Sequence, residues 1–140
     1  MDPIRHQVRV PCGPERAFEV FTAEMGAWWD PVYSPDPASY TGIRVEPLVG
    51  GLVALLHGGA PYPFGEVTVW EPGERFAQTW TLAMDPAHPS ALDVRFEPVE
   101  GGCRVLLEHG GWTAGNAAFR GRFRDWPHLL GRYAETTEGA

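Results

Sequence analysis

Two side chains in this sequence have the type and placement for proton-transfer chemistry: Glu66, beside Gly65 in an apolar alternating segment, and His109, which ends the segment Cys103 to His109. A carboxylate turned into an apolar gap has a raised pKa, the condition for a general acid or a ligand anchor, whereas a strand glutamate facing water has neither property. His109 falls on the apolar side of its segment. There it orients a polar ligand group or shuttles a proton near neutral pH, unless the glycine-rich turn after it takes up its hydrogen bonds. Gln78 adds an amide on the same side as Phe76, Trp80 and Leu82.

Aromatic residues surround these groups in sequence. Trp28 and Trp29 precede a proline-rich stretch, where one ring is expected to plug the core and the other to line a cavity mouth and stack on a ligand. Trp80 and Phe96 share inward faces of neighbouring segments, as cavity wall or as filled core. Tyr33 in the loop, with Trp126 and Leu130 near the C-terminus, completes the candidate ligand-binding set.

Other chemistries lack their signatures. The five histidines, at 6, 57, 88, 109 and 128, include no short ligand pair, so no metal is expected. His57 and His128 have no recognisable partner in sequence. Ser34, Ser39 and Ser90 lie in turn-like segments without a nucleophile elbow. Gly50-Gly51 and Gly58-Gly59 read as hairpin turns rather than phosphate cradles, because no helix start follows them. No catalytic constellation is complete, and no cofactor is expected.

A net charge of −7, with all eleven basic residues arginine and scattered, disfavours nucleic acid, which needs a positive face. No run approaches the roughly 18 apolar residues of a membrane span, and the N-terminal residues lack the apolar segment of a secretory signal. A cytoplasmic protein is expected, with Cys12 and Cys103 as reduced thiols.

The positioning elements follow from periodicity. Ile4 to Val10 alternates with period two; Pro14 opens a helix carrying Ala17, Phe18, Phe21 and Met25, with Gly26 as its natural end. The stretch with Pro31, Pro35 and Pro37 holds at most a short helical turn. Apolar stretches at roughly 40–47, 52–57, 64–70, 75–82, 92–98 and 103–109 are separated by short turn signals and must pair antiparallel. Helical spacing returns from Gly115, with Phe119 and Phe123 four apart. Pro127 forces a fresh start at Asp125-Trp126-Pro127, with Asp125 as cap, and Glu135 to Ala140 is expected to fray. One domain over 1–140 is expected.

These pieces, read in order, resemble the activator-of-heat-shock-protein-ATPase homologue-like family of the START-like, or SRPBCC, superfamily. The resemblance rests on Val10-Pro11 leading into Pro14-Glu15-Arg16-Ala17-Phe18, on Met25-Gly26-Ala27-Trp28-Trp29, and on Glu46 before Gly50-Gly51. It continues through Gly65-Glu66-Val67-Thr68-Val69-Trp70-Glu71-Pro72, Thr79-Trp80, Glu108-His109-Gly110-Gly111-Trp112 and Trp126-Pro127-His128-Leu129-Leu130. It implies an α+β helix-grip fold, a curved antiparallel sheet of about seven strands wrapped around a long C-terminal helix, with a cavity between them. It implies no single activity, since superfamily members include lipid and hormone carriers, polyketide cyclases and co-chaperone activators. Two departures stand out: Arg124-Asp125-Trp126, where relatives often have glycine before the tryptophan, and Asp30-Pro31-Val32-Tyr33 after Trp29, at the entrance.

The leading expectation is therefore a non-catalytic binder of a small apolar or aromatic molecule. An enzyme using Glu66 or His109 as acid or base on a carbonyl compound is the alternative, and it needs both side chains to converge on one cavity. A co-chaperone role is the third reading, although the namesakes carry a further N-terminal domain for which 140 residues leave no room. A homodimer is compatible with the sequence.

Overall fold

The computed structural model describes residues 1–139. Seven strands form one antiparallel sheet in the order β1-β7-β6-β5-β4-β3-β2, curled into a half-barrel. They are β1 (Ile4–Val10), β2 (Tyr40–Val45), β3 (Leu52–His57), β4 (Ala60–Glu71), β5 (Arg75–Trp80), β6 (Ser90–Val99) and β7 (Gly102–Gly110). From β2 to β7 consecutive strands are neighbours, and β1 closes against β7 at the far edge from β2. That pairing runs from Ile4 opposite His109 to Val10 opposite Cys103. Cys12 and Cys103 are both free thiols; burial, with Cys12 close by as a second cause, pushes the Cys103 thiol up to about 11.

Between β1 and β2 lie α1 (Pro14–Thr22), α2 (Met25–Trp28) and two 3-10 turns, Pro31–Tyr33 and Pro37–Ser39. Gly26 does not end the first helix. It sits inside α2, where a Cβ would stand 2.5 Å from the Ile43 backbone nitrogen, so its lack of a side chain lets α2 press onto β2. A further 3-10 segment, Ala117–Arg122, replaces the regular helix expected after Gly115. The closing helix, α3 (Trp126–Glu138), starts afresh at Pro127 and stays helical through most of the tail expected to fray; Ala140 lies outside the described residues.

The inward faces of β5, β6 and β7 supply Phe76, Trp80, Leu92, Val94, Phe96, Cys103, Val105 and Leu107 to one buried core. Burial of such side chains is the main stabilising term, about 1.5–3 kcal/mol for each large apolar group. From α3 come Trp126, Leu129, Leu130 and Tyr133, and the Tyr133 hydroxyl donates to Ala17 O at 2.8 Å, tying α3 to α1. Among the described residues no helix is long and apolar enough to cross a membrane.

Candidate functional site

The sheet does not touch α3 along its whole length. Near the N-terminal end of α3 a cavity of about 370 Å³ remains, its walls made by Trp29, Trp80, Leu82, Phe123, Trp126 and Leu129. Three indoles contribute to these walls: Trp29 and Trp80 stand 5.9 Å apart by ring centroid, and Trp80 and Trp126 stand 5.4 Å apart. The edge is more polar, with Tyr33, Ser34, Tyr62, Arg122 and Asp125. An apolar chamber with a few polar groups at one side is the usual form of a small-molecule site.

Local chemistry fixes the entrance. Asp30 caps the 3-10 turn Pro31–Tyr33 by accepting from Val32 N at 3.1 Å, and its other oxygen meets His128 Nε2 at 2.9 Å. The His128 hydrogen bond, with the Val32 N–H second, holds the Asp30 carboxyl below its ordinary value. The Tyr33 hydroxyl donates to Asp125 Oδ2 at 2.7 Å, and this bond pushes the phenol up to about 12. Asp125 occupies the N-cap position of α3 without capping it, since its side chain is directed to Tyr33 instead. On the opposite lip, Arg122 Nη1 donates to Ala83 O at 3.1 Å.

Of the residues proposed from sequence, Trp29, Tyr33, Trp80 and Trp126 meet at this cavity. Trp28 is core: it is buried against Phe21 and Tyr133, and its Nε1 donates to Val20 O at 3.0 Å. Phe96 packs beneath α1 against Phe18 and Phe21, away from the chamber. Leu130 turns into the core, and its neighbour Leu129 lines the cavity. Gln78 is fully buried in the sheet's interior, its amide nitrogen bonded to Thr79 O at 3.0 Å.

Glu66 requires correction. It is exposed and does not line the cavity. In a regular strand it would share the inward face of Phe64, two residues earlier, but the β3–β4 register shifts between Val53 and Ala54. This bulge absorbs one residue, so Phe64 and Val67 both point inward and Glu66 faces out.

His109 is buried but not in the cavity. Trp126 Nε1 donates to its Nδ1 at 3.2 Å, which leaves the ring proton on Nε2 to be given to Ser90 Oγ at 2.7 Å. Its ring lies against Phe123 (4.5 Å) and Trp112 (4.8 Å), and burial drives its pKa down to about 3. It is thus a neutral structural side chain behind the Trp126 wall. The hydrogen-bond partners differ from the glycine turn expected, and Glu66 and His109 do not converge on a common cavity.

Sequence reading missed Ser34, Pro35, Tyr62, Leu82, Ala83, Arg122, Phe123, Asp125 and Leu129 as lining residues. The proline-punctuated loop after Trp29 was the one available signal for Ser34 and Pro35. Tyr62 and Arg122 come from segments with no local mark of a site.

A half-barrel sheet clasping a C-terminal helix, with an aromatic chamber between them, defines a helix-grip protein of the α+β class. The chain belongs to the family described as Activator of Hsp90 ATPase homolog 1-like protein, whose model matches residues 11–138. Its fold is similar to that of protein MLL2253 from Mesorhizobium loti, which is 19% identical with a TM-score of 0.73 over 99% of this chain and 98% of that one. The Aha1 dimer from Colwellia psychrerythraea is 18% identical, with a TM-score of 0.72 over 99% and 97% of the two chains. The anthrahydroquino-gamma-pyrone synthase Txn09 is 29% identical, with a TM-score of 0.66 over 96% of each chain. None of the curated proteins compared with the sequence matches it.

Proposed function

We propose that this protein binds a small, largely apolar molecule with fused aromatic rings between the sheet and α3. The observation that carries the reading is the set of three tryptophans, Trp29, Trp80 and Trp126, facing one chamber of about 370 Å³. Indole rings supply large, rigid faces for offset or edge contact with a flat ligand. The polar lining residues Tyr33, Ser34, Arg122 and Asp125 are more exposed than the three tryptophans, which suits a ligand whose polar end faces outward. The likeness to an anthrahydroquino-gamma-pyrone synthase supports a fused-ring ligand over a flexible lipid. Catalysis through Glu66 or His109 has no geometric support, since one faces water and the other is held neutral by burial.

Native mass spectrometry and a thermal-shift screen with two panels, polycyclic aromatics and straight-chain lipids, test this reading. Stabilisation by aromatics with quenching of tryptophan fluorescence is the expected result. Selective stabilisation by the lipids, or by neither panel, overturns it.

A further inference from the structure

The Ser34 hydroxyl and His57 Nε2 meet at 2.6 Å although the residues are 23 apart in sequence. Ser34 follows the 3-10 turn Pro31–Tyr33 and lines the cavity edge. His57 ends β3, where its backbone pairs with Tyr40 on one side and Ala60 on the other. Its ring stands edge-on to Tyr62, another lining residue, at 6.4 Å. The couple is therefore built from a loop and a strand end that only the folded sheet brings together.

A serine hydroxyl has one hydrogen and two lone pairs. One lone pair of Ser34 accepts the Asp36 N–H at 3.1 Å. The contact with His57 takes either the hydrogen or the second lone pair, depending on the imidazole tautomer, and one position on Oγ is left over in both cases. With the ring proton on Nδ1, Ser34 donates to His57 and the remaining position accepts. With the proton on Nε2, that position donates. Among the described residues no carboxylate bonds Nδ1 to fix the tautomer, so the couple can receive a proton or return one.

Acyl transfer is poorly served here. The residue after Ser34 is Pro35, which has no N–H, and the Asp36 N–H is already given to Ser34 Oγ, so these two backbone positions offer no oxyanion donor. Proton exchange with a ligand oxygen needs no such donor.

We propose that Ser34 and His57 form a proton-accepting pole for a polycyclic aromatic ligand bearing an acidic phenolic hydroxyl. The inference rests on the cavity reading above. The ligand's O–H bond breaks and its proton joins Ser34 Oγ, while the former Ser34 proton passes to His57 Nε2. The products are a phenolate and an imidazolium, and no electrons change hands. His57 acts through Ser34, as a positioning and proton-storing residue.

The test compares 2-hydroxyanthraquinone with its methyl ether, at a pH where the free phenol is mostly un-ionised. Tryptophan quenching reports occupancy; the visible absorption of the phenol, which moves to the red on ionisation, reports the proton. The wild-type protein binds both, the phenol about tenfold more tightly, the worth of one good hydrogen bond to a charged group, and the bound phenol absorbs as its anion. Ser34→Ala and His57→Phe, checked as folded by far-ultraviolet circular dichroism, lose the tenfold preference and the red shift. Ser34→Thr restores both. Equal wild-type affinities with an unshifted spectrum overturn the inference and leave the cavity reading standing, as does a red shift that survives both substitutions. Absence of quenching by either compound overturns the two together.

Discussion

The Tyr33 hydroxyl donates to Asp125 Oδ2 at 2.7 Å, joining the loop after α2 to the first residue before α3 across the cavity edge. The neighbouring contact of His128 with Asp30 at 2.9 Å runs between the same two elements in the opposite sense, from helix to loop. Together they latch the entrance. Both pairs are partly solvated, so each is worth little in stability and their effect falls on opening. Asp125→Asn is expected to return the Tyr33 phenol from about 12 toward its ordinary value of 10.0 and to speed ligand release. Ultraviolet titration and stopped-flow release of a bound aromatic check this; an unchanged phenol titration refutes the latch.

His109 makes the fold acid-sensitive. Its folded pKa of about 3 lies below the ordinary 6.5, so the unfolded chain binds a proton through this interval that the native state refuses. Stability from this group is present above pH 6.5 and falls as the pH drops toward 3, by about 1.4 kcal/mol per pH unit while the difference of one proton lasts. His109→Leu is expected to flatten this part of the curve. It also orphans Trp126 Nε1, at about 1–3 kcal/mol when it stays buried, whereas Ser90 Oγ keeps its bond to Trp80 O at 3.5 Å. Urea unfolding of both proteins between pH 4 and 7 measures the two effects separately.

The adjacent tryptophans should respond unequally to the same substitution. Trp28 Nε1 has a partner in Val20 O, whereas the buried Trp29 Nε1 has none. Trp28→Phe therefore leaves a buried carbonyl unpaired, while Trp29→Phe removes an unpaired donor, so Trp28→Phe is expected to cost about 1 kcal/mol more. Ligand affinity reverses the order, because only Trp29 lines the cavity. Chemical denaturation and fluorescence titration of the two variants decide the matter; equal stability losses would contradict the hydrogen-bond assignment.

Gly26→Ala probes how α2 sets the Trp29 wall. The added methyl meets backbone on β2, at 2.5 Å from Ile43 N and 3.0 Å from Gly42 Cα, which cannot swing aside as a side chain would. A loss of about 1–3 kcal/mol is expected, the usual range for overpacking, with weaker aromatic binding as α2 lifts. A neutral thermal melt and an unchanged affinity would show that α2 does not seat the wall.

The elements were legible because their signals are local. Alternation marked Ile4 to Val10 and Cys103 to His109, and their common inward parity agrees with the observed pairing of Val10 with Cys103. Pro127 marked the fresh start of α3, since a proline loses nothing at a helix's first turn. Trp80 could be named because a large ring on an inward strand face must meet the interior, whereas which of Trp28 and Trp29 lines the cavity stayed open until α2 was placed. Glu66 could not be placed, because a single bulge reverses parity and leaves no mark in the local pattern.

The sequence alone determined the order of strands and helices and their antiparallel pairing, which follow from periods of two and 3.6 that each segment carries within itself; the helix-grip architecture was what the family resemblance implied. Only the tertiary structure decided the site. Whether Leu129 or Leu130 faces the chamber depends on how α3 is rotated over the sheet, and the meeting of Ser34 with His57, like that of Tyr33 with Asp125, depends on where separate segments cross. Such meetings are set by packing between elements, a long-range property that no window of sequence contains.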